Sequence, residues 1–171
     1  MRNEDLLLGK NLLALAVQMS KSPFWLPWLD AAYEQAQKSL SEGGLPIGSV
    51  LVDKNGIIVA RGHNLRVQEG DPTAHAEVSC IRNAGRRRDW HTMTLVSTLS
   101  PCIMCTGTSL LFQIPRIVIG ESENFKGAEE LFEQKGVALI HANDARCIKM
   151  MRDFIAQNPA LWNEDIGIEE N

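Results

Sequence analysis

Two short stretches of the chain hold residue types that can do chemistry together, His75-Ala76-Glu77 and Pro101-Cys102-Ile103-Met104-Cys105. One imidazole and two thiolates make a zinc-ligand set that leaves the fourth tetrahedral position to water, which is the mark of a catalytic rather than a structural site. Zinc draws the pKa of a bound water from about 15.7 towards about 7, so a hydroxide nucleophile is at hand at neutral pH. A carboxylate beside such an ion accepts the proton of the water, passes it to a substrate and later supplies one to a leaving group, and Glu77 is the candidate for that work. Cys102 and Cys105 stand three apart at the start of a predicted helix, so both thiols share one face and reach one ion, and the positive end of the helix dipole favours their thiolates. His75 also opens a predicted helix, which lets two helix N-termini converge on the metal.

Each motif alone has a plainer reading. H-x-E by itself is more often a pair of surface residues, and C-x-x-C by itself also fits a thioredoxin-like dithiol or half of a structural zinc site. A structural site needs a fourth ligand, and the spare thiols, Cys80 and Cys147, sit in apolar helical stretches where a cysteine reads as core. His91 and His141 have no motif around them and read as structural. Asn64, in Gly62-His63-Asn64, can hydrogen-bond a ring edge but taken alone is a turn residue. Arg86-Arg87-Arg88 reads as a solvated helix end, and Met104, Met150 and Met151 as core.

The elements that must position these residues follow from pattern. Apolar residues at helical intervals from Trp28 to Ser41, closed by Gly43-Gly44, predict a helix. Ile47 to Val52 and Ile57 to Ala60 predict two antiparallel strands joined at Asn55-Gly56. A helix from Thr73 through Ile81 carries the H-x-E motif, Leu95 to Leu99 is a buried strand, and Pro101 opens the next helix, with Leu110, Leu111 and Phe112 as its apolar body. Arg116 to Ile119, Glu129 to Gln134 and Val137 to His141 form a strand, helix, strand unit, which implies a right-handed crossover between parallel strands. Asp144 caps a helix to Gln157, and Pro159 begins a last piece ending in Glu164-Asp165-Ile166-Gly167. The sum is an α/β protein with a mixed five-stranded sheet and helices on both faces.

With 171 residues, 44% of them hydrophobic and 22% charged, the chain suits one domain, here 23–171, preceded by an extension over 1–22 that is expected to be helical. A net charge of -4 disfavours a surface built to grip phosphate backbones, so nucleic acid is not the expected partner. Four cysteines, two of them in C-x-x-C, predict metal chemistry in a reducing, cytoplasmic setting rather than a disulfide framework. Leu6 to Val17 is interrupted by Gly9, Lys10 and Asn11 and preceded by Glu4 and Asp5, so it reads neither as a signal peptide nor as a membrane span.

H-x-E followed by P-C-x-x-C is the pattern of zinc deaminases that act on nucleobases. Beyond it, Glu42-Gly43-Gly44-Leu45-Pro46-Ile47-Gly48, Arg61-Gly62-His63-Asn64, Thr98-Leu99-Ser100-Pro101-Cys102, Asn124-Phe125-Lys126 and Glu164-Asp165-Ile166-Gly167 give the chain from about Ala31 to Gly167 its likeness. Over that length it resembles the fungal-type cytosine deaminases. The resemblance implies the three-layer cytidine deaminase-like fold, one Zn2+ per subunit on His75, Cys102 and Cys105, and proton transfer by Glu77. It also implies that Asn64 hydrogen-bonds the pyrimidine, that the Ala76 main-chain N–H meets the carbonyl oxygen, and that Asp165 meets the amino group. Phe125, Trp162 and Ile166 would close a lid over the base, with Ile47 on the wall and Ser100 near Glu77. A lid leaves little room for a ribose, which favours a free base. A homodimer is implied as well, and Leu110, Leu111 and Phe112 offer apolar surface for it.

The chain departs from that pattern at Ala76, where the fungal enzymes have glycine, at Ile103, where an acidic residue is usual, and at Asn163, where an aromatic follows the lid tryptophan. Asn163 is expected to adjoin the pocket, which keeps other small amino-substituted rings, isocytosine, creatinine or a purine base, as alternative substrates. Nucleoside or tRNA adenosine deamination is a further alternative, set against the acidic chain end. A zinc module without turnover is the third class.

Overall fold

The computed structural model describes residues 22–168, so the extension expected over 1–22 lies, Ser22 apart, outside the described residues. Helix α1 (Leu26–Ser41) has Pro27 in its first turn, where the missing N–H costs nothing, and ends at Glu42 before Gly43, whose φ of 85° no other residue type adopts readily. Strands β1 (Gly48–Val52) and β2 (Ile58–His63) follow as an antiparallel pair. Their turn is held by Asp53, whose carboxylate accepts the N–H groups of Asn55 and Ile57, and Gly56 supplies a φ of 81°. A short α2 (Arg66–Glu69), not expected from the sequence, and α3 (Ala76–Ala84) lead to β3 (Thr94–Ser97). After α4 (Ile103–Leu111) come β4 (Arg116–Ile119), α5 (Glu129–Gln134), β5 (Ala138–His141), α6 (Ala145–Gln157) and α7 (Pro159–Asp165).

The five strands lie in the order β2-β1-β3-β4-β5. β1 runs antiparallel to β2 and β3, while β3, β4 and β5 are parallel, as the strand, helix, strand pattern implied. Successive strand residues point to opposite faces and so feed two cores. Leu51, Leu95, Ile117 and Ile119 pack with Cys80, Ile81 and Phe132 from α3 and α5. Val50, Val52, Val96 and Val118 pack with Leu29 and Ala32 of α1 and Cys147 of α6. Three layers result, helices on either face of the sheet. Asp144 caps α6 by accepting the N–H groups of Arg146 and Cys147.

A third apolar group, including Leu45, Ile47, Ala76, Leu99, Phe154 and Trp162, gathers where the strands hand over to helices. Its position depends on how tightly α3 lies on β2. A Cβ at Gly62 would fall 2.2 Å from the Cys80 nitrogen and 2.7 Å from the Ala76 carbonyl oxygen, so only glycine admits that approach. Gly62→Ala is expected to cost about 2–3 kcal/mol of unfolding free energy as backbone is forced apart, measured by urea denaturation of the two proteins side by side.

Candidate active site

His75 and Cys102 are the N-caps of α3 and α4, both with extended backbone (φ −66°, ψ 160° and φ −66°, ψ 173°), and Cys105 lies one turn into α4. The expected helix starts at Thr73 and Pro101 therefore move two or three residues on. The reason is local: an N-cap stands outside the helix proper, so its side chain projects past the helix end instead of along a flank. Two positive helix ends meet there, which favours thiolates. His75, Cys102 and Cys105 bring their donor atoms within 4.8 Å of one another, the single such group among the described residues. His75 Nδ1 is 3.5 Å from Cys102 Sγ.

The electrostatics of this group are tightly linked. A hydrogen bond from Cys105, against the opposing effect of burial and with help from His75, brings the Cys102 thiol down to about 4. The shared proton pushes Cys105 well above the usual thiol range, and burial and the Glu77 charge add to it. Burial works against a charged His75, yet the Cys102 thiolate and Asp165 outweigh it and raise the imidazole to about 9. Burial, then the negative Cys102, raise Glu77 above the ordinary carboxylate range. Asp165 is raised by burial too, partly offset by His75 and Asn64. Carboxylates and thiols crowded into one buried place are what a divalent cation relieves. The donors also fit zinc in kind, borderline-soft sulfur and nitrogen, and in spacing, since two donors on one tetrahedral zinc sit roughly 3.5–3.8 Å apart.

Glu77 lies outside the donor group although it is only 4% exposed and lines the same chamber. Ser97 at the end of β3 donates its hydroxyl to Glu77 Oε1 at 3.1 Å. Sequence reasoning missed Ser97, because a strand serine distant in sequence bears no local signal of that contact. Ser100, expected near Glu77, does line the chamber, but its hydroxyl donates to buried Glu129 at 2.7 Å and accepts from Gly127 N–H.

The chamber is lined by His75, Cys102, Glu77 and Asp165 on its polar side and by Ile47, Leu99, Phe125, Trp162 and Ile166 on its apolar side. Its volume is about 10 Å³, space for about one water. Phe125 and Trp162 meet edge to face at 5.7 Å and 85°, and beyond them Phe125, Asp165 and Ile166 form part of a wide outer groove of about 500 Å³ with Ile103 and Lys126. The loop carrying Phe125 is fixed by buried Glu121, which accepts the N–H groups of Glu123 and Asn124. Asn163, expected to adjoin the pocket, is not among the residues that line the chamber; its neighbour Trp162 is.

Asp165 sits at the end of α7 with Oδ1 3.2 Å from Asn64 Nδ2 and 3.6 Å from His75 Nε2. His75 thus turns Nδ1 to the thiols and Nε2 to a carboxylate, the usual support of a metal-binding imidazole. Arg66 ties the same helix down through Glu164 at 2.8 Å. Ala76 is the first residue of α3, whose N–H has no acceptor within the helix.

Known proteins resemble this chain over much of its length. A cytosine deaminase of Candida albicans is 45% identical over 141 residues, covering 81% of this chain and 94% of that protein. A tRNA-specific adenosine deaminase of Streptococcus pyogenes is 37% identical over 110 residues, 62% of this chain and 69% of that one. Among solved structures, a tRNA:A34 deaminase that carries out A-to-I editing at the wobble position of transfer RNA superposes with a TM-score of 0.66 at 28% identity, covering 73% of this chain and 99% of that one. Residues 26–121, the stretch from α1 through the convergence of His75, Cys102 and Cys105, match the cytidine and deoxycytidylate deaminase zinc-binding region, and the chain belongs to that family.

Proposed function

We infer that this protein hydrolyses a free pyrimidine base, cytosine, to uracil and ammonia, with one zinc held per subunit by His75, Cys102 and Cys105. The observation that carries this reading is the donor set of His75, Cys102 and Cys105 beside buried Glu77, under an apolar wall of Phe125, Trp162 and Ile166 suited to the faces of a flat ring. The 45% identity to a cytosine deaminase, over nearly that protein's full length, supports the same substrate.

Bound zinc supplies Lewis acidity that makes water a nucleophile at neutral pH. Glu77 takes the proton of the attacking water on its carboxylate and delivers it to ring N3, then takes the proton of the hydroxyl added at the amino-bearing carbon and donates it to the departing amino nitrogen, so that cytosine and water become uracil and ammonia. Asn64 and the Ala76 N–H hold the base by its polar edge, Asp165 faces the amino group, and the aromatic lid excludes water.

The test is ammonia release by the zinc-loaded protein from cytosine, with isocytosine, creatinine, guanine, adenine, cytidine and adenosine in parallel. Cytosine is expected to lead in kcat/KM by about tenfold or more. Turnover of another ring with none of cytosine would overturn the substrate while leaving the zinc and Glu77 chemistry in place.

A homodimer is proposed on the exposed end of α4. Leu111, at the end of α4 away from the site, is 77% exposed, and a homodimer through this surface covers it. None of the described helices is long and apolar enough to cross a membrane. Four cysteines without disulfides suit a reducing, cytoplasmic setting.

A further inference from the structure

Asn64 is fully buried, and nearly all of its hydrogen-bonding groups are committed to protein. Its N–H donates to the Ile47 carbonyl at 2.9 Å, and its side-chain Oδ1 accepts the Arg66 N–H at 3.1 Å. Its carbonyl oxygen takes two donors from elsewhere in the fold, the Ser39 hydroxyl at 2.7 Å and Gln68 Nε2 at 3.1 Å. Only the side-chain NH2 is left, and it points at Asp165.

The two donors on the carbonyl are themselves held. Gln68 Nε2 lies 3.3 Å from Ser39 Oγ and 3.5 Å from Glu42 Oε2, and Glu42 Oε2 is 2.8 Å from His63 Nε2. Gly44 makes the room, because a Cβ there would fall 2.4 Å from Gln68 Nε2. Ser39 is fully buried on the last turn of α1, far in sequence from any motif, and has no other evident reason to be polar. A carboxamide whose oxygen is turned to the Arg66 N–H presents its NH2 on the opposite side. Backbone clamped on both sides of the Cα makes that choice permanent.

We propose that Ser39 and Gln68 are positioning residues that fix the direction of the Asn64 carboxamide, so that its NH2 rather than its oxygen faces Asp165 and the base. The proposal rests on the reading of Asn64 as a base contact. It implies that the site recognises an acceptor, a ring carbonyl oxygen or an unprotonated ring nitrogen, at this position and turns away a donor.

The test uses the zinc-loaded full chain and the variants Ser39→Ala and Gln68→Met. The first readout is the Asn64 side-chain NH2 pair in a 1H–15N spectrum, assigned by its disappearance in Asn64→Asp. The second is the split between kcat and KM for cytosine. In each variant the two NH2 proton signals are expected to draw together and exchange faster with water. KM is expected to rise about tenfold with kcat changed less than about threefold, as when a contact made in both ground and transition states is loosened. Should Ser39→Ala fail to fold, Gln68→Met at its partly exposed position carries the test. Unchanged amide signals together with unchanged KM in Gln68→Met would overturn the proposal. Asn64→Ala with wild-type turnover would instead overturn the role of Asn64 as a base contact, and the amide signals would still decide whether Ser39 and Gln68 fix its direction.

Discussion

Glu77→Gln is expected to lower kcat by about 10³- to 10⁴-fold, the upper part of the range for removing a positioned acid–base group that acts more than once in a cycle. The amide keeps the shape of the side chain and its hydrogen bond with the Ser97 hydroxyl, so the chamber stays packed. It cannot carry a proton. Because Glu77 stands apart from the donor group of His75, Cys102 and Cys105, metal content measured by atomic emission is expected to match that of the parent protein. Binding of uracil should survive within a few fold, since the polar edge of the base is held by other residues. Substantial residual turnover, or loss of zinc, would place Glu77 in a different role.

Cys102→Ser is expected to have the second large effect and by a different route. Cys102 is the thiol brought down to about 4, already a thiolate at neutral pH, and serine offers neither that charge nor the soft sulfur. Zinc content is expected to fall to below about a tenth of the parent value, and turnover by about 10³-fold or more, because with the metal goes the acidity of its water. The parent protein stripped by a chelator should behave alike and recover when zinc is restored; the variant should not recover at micromolar zinc. Metal that binds the folded chain also stabilises it by mass action, so the melting temperature of the variant should no longer depend on added zinc. A variant that retains a full complement of zinc would show that the ion is held elsewhere.

The grouping of His75, Cys102 and Cys105 with Glu77 beside it was legible in the sequence because each belongs to a short local motif whose spacing has a physical cause. The five strands and the major helices between 26 and 165 were legible for a related reason, hydrophobic periodicity broken by glycine, proline and caps. What escaped was of two kinds. Element edges shifted where a ligand serves as a cap: Cys102 looked like part of a helix and stands outside it. Contacts between distant polar residues left no trace at all. Ser97 on Glu77, Ser100 on Glu129 and Ser39 on Asn64 are serines whose importance comes from partners 20, 29 and 25 positions away. A serine in a strand or a helix looks the same whether it faces solvent or a catalytic carboxylate. Asp165, Trp162 and Ile166 were placed by family likeness alone, since nothing in the local pattern of the last helix says that it returns to the site.

That return of α7 divides the molecule's work along its length. The matched region ends at Glu121, and every residue proposed to handle metal or proton lies before it, while Phe125, Trp162, Asp165 and Ile166, which line the chamber with them, lie after it. A chain emerging from the ribosome therefore has its reactive groups and the contacts to the polar edge of the base outside before it has the residues that roof them. The same division lets inheritance alter one without touching the other. Substitutions at Phe125, Trp162 or Ile166 would reshape the roof while His75, Cys102, Cys105 and Glu77 stay in place, whereas Asp165, which also faces His75 and Asn64, belongs to both parts.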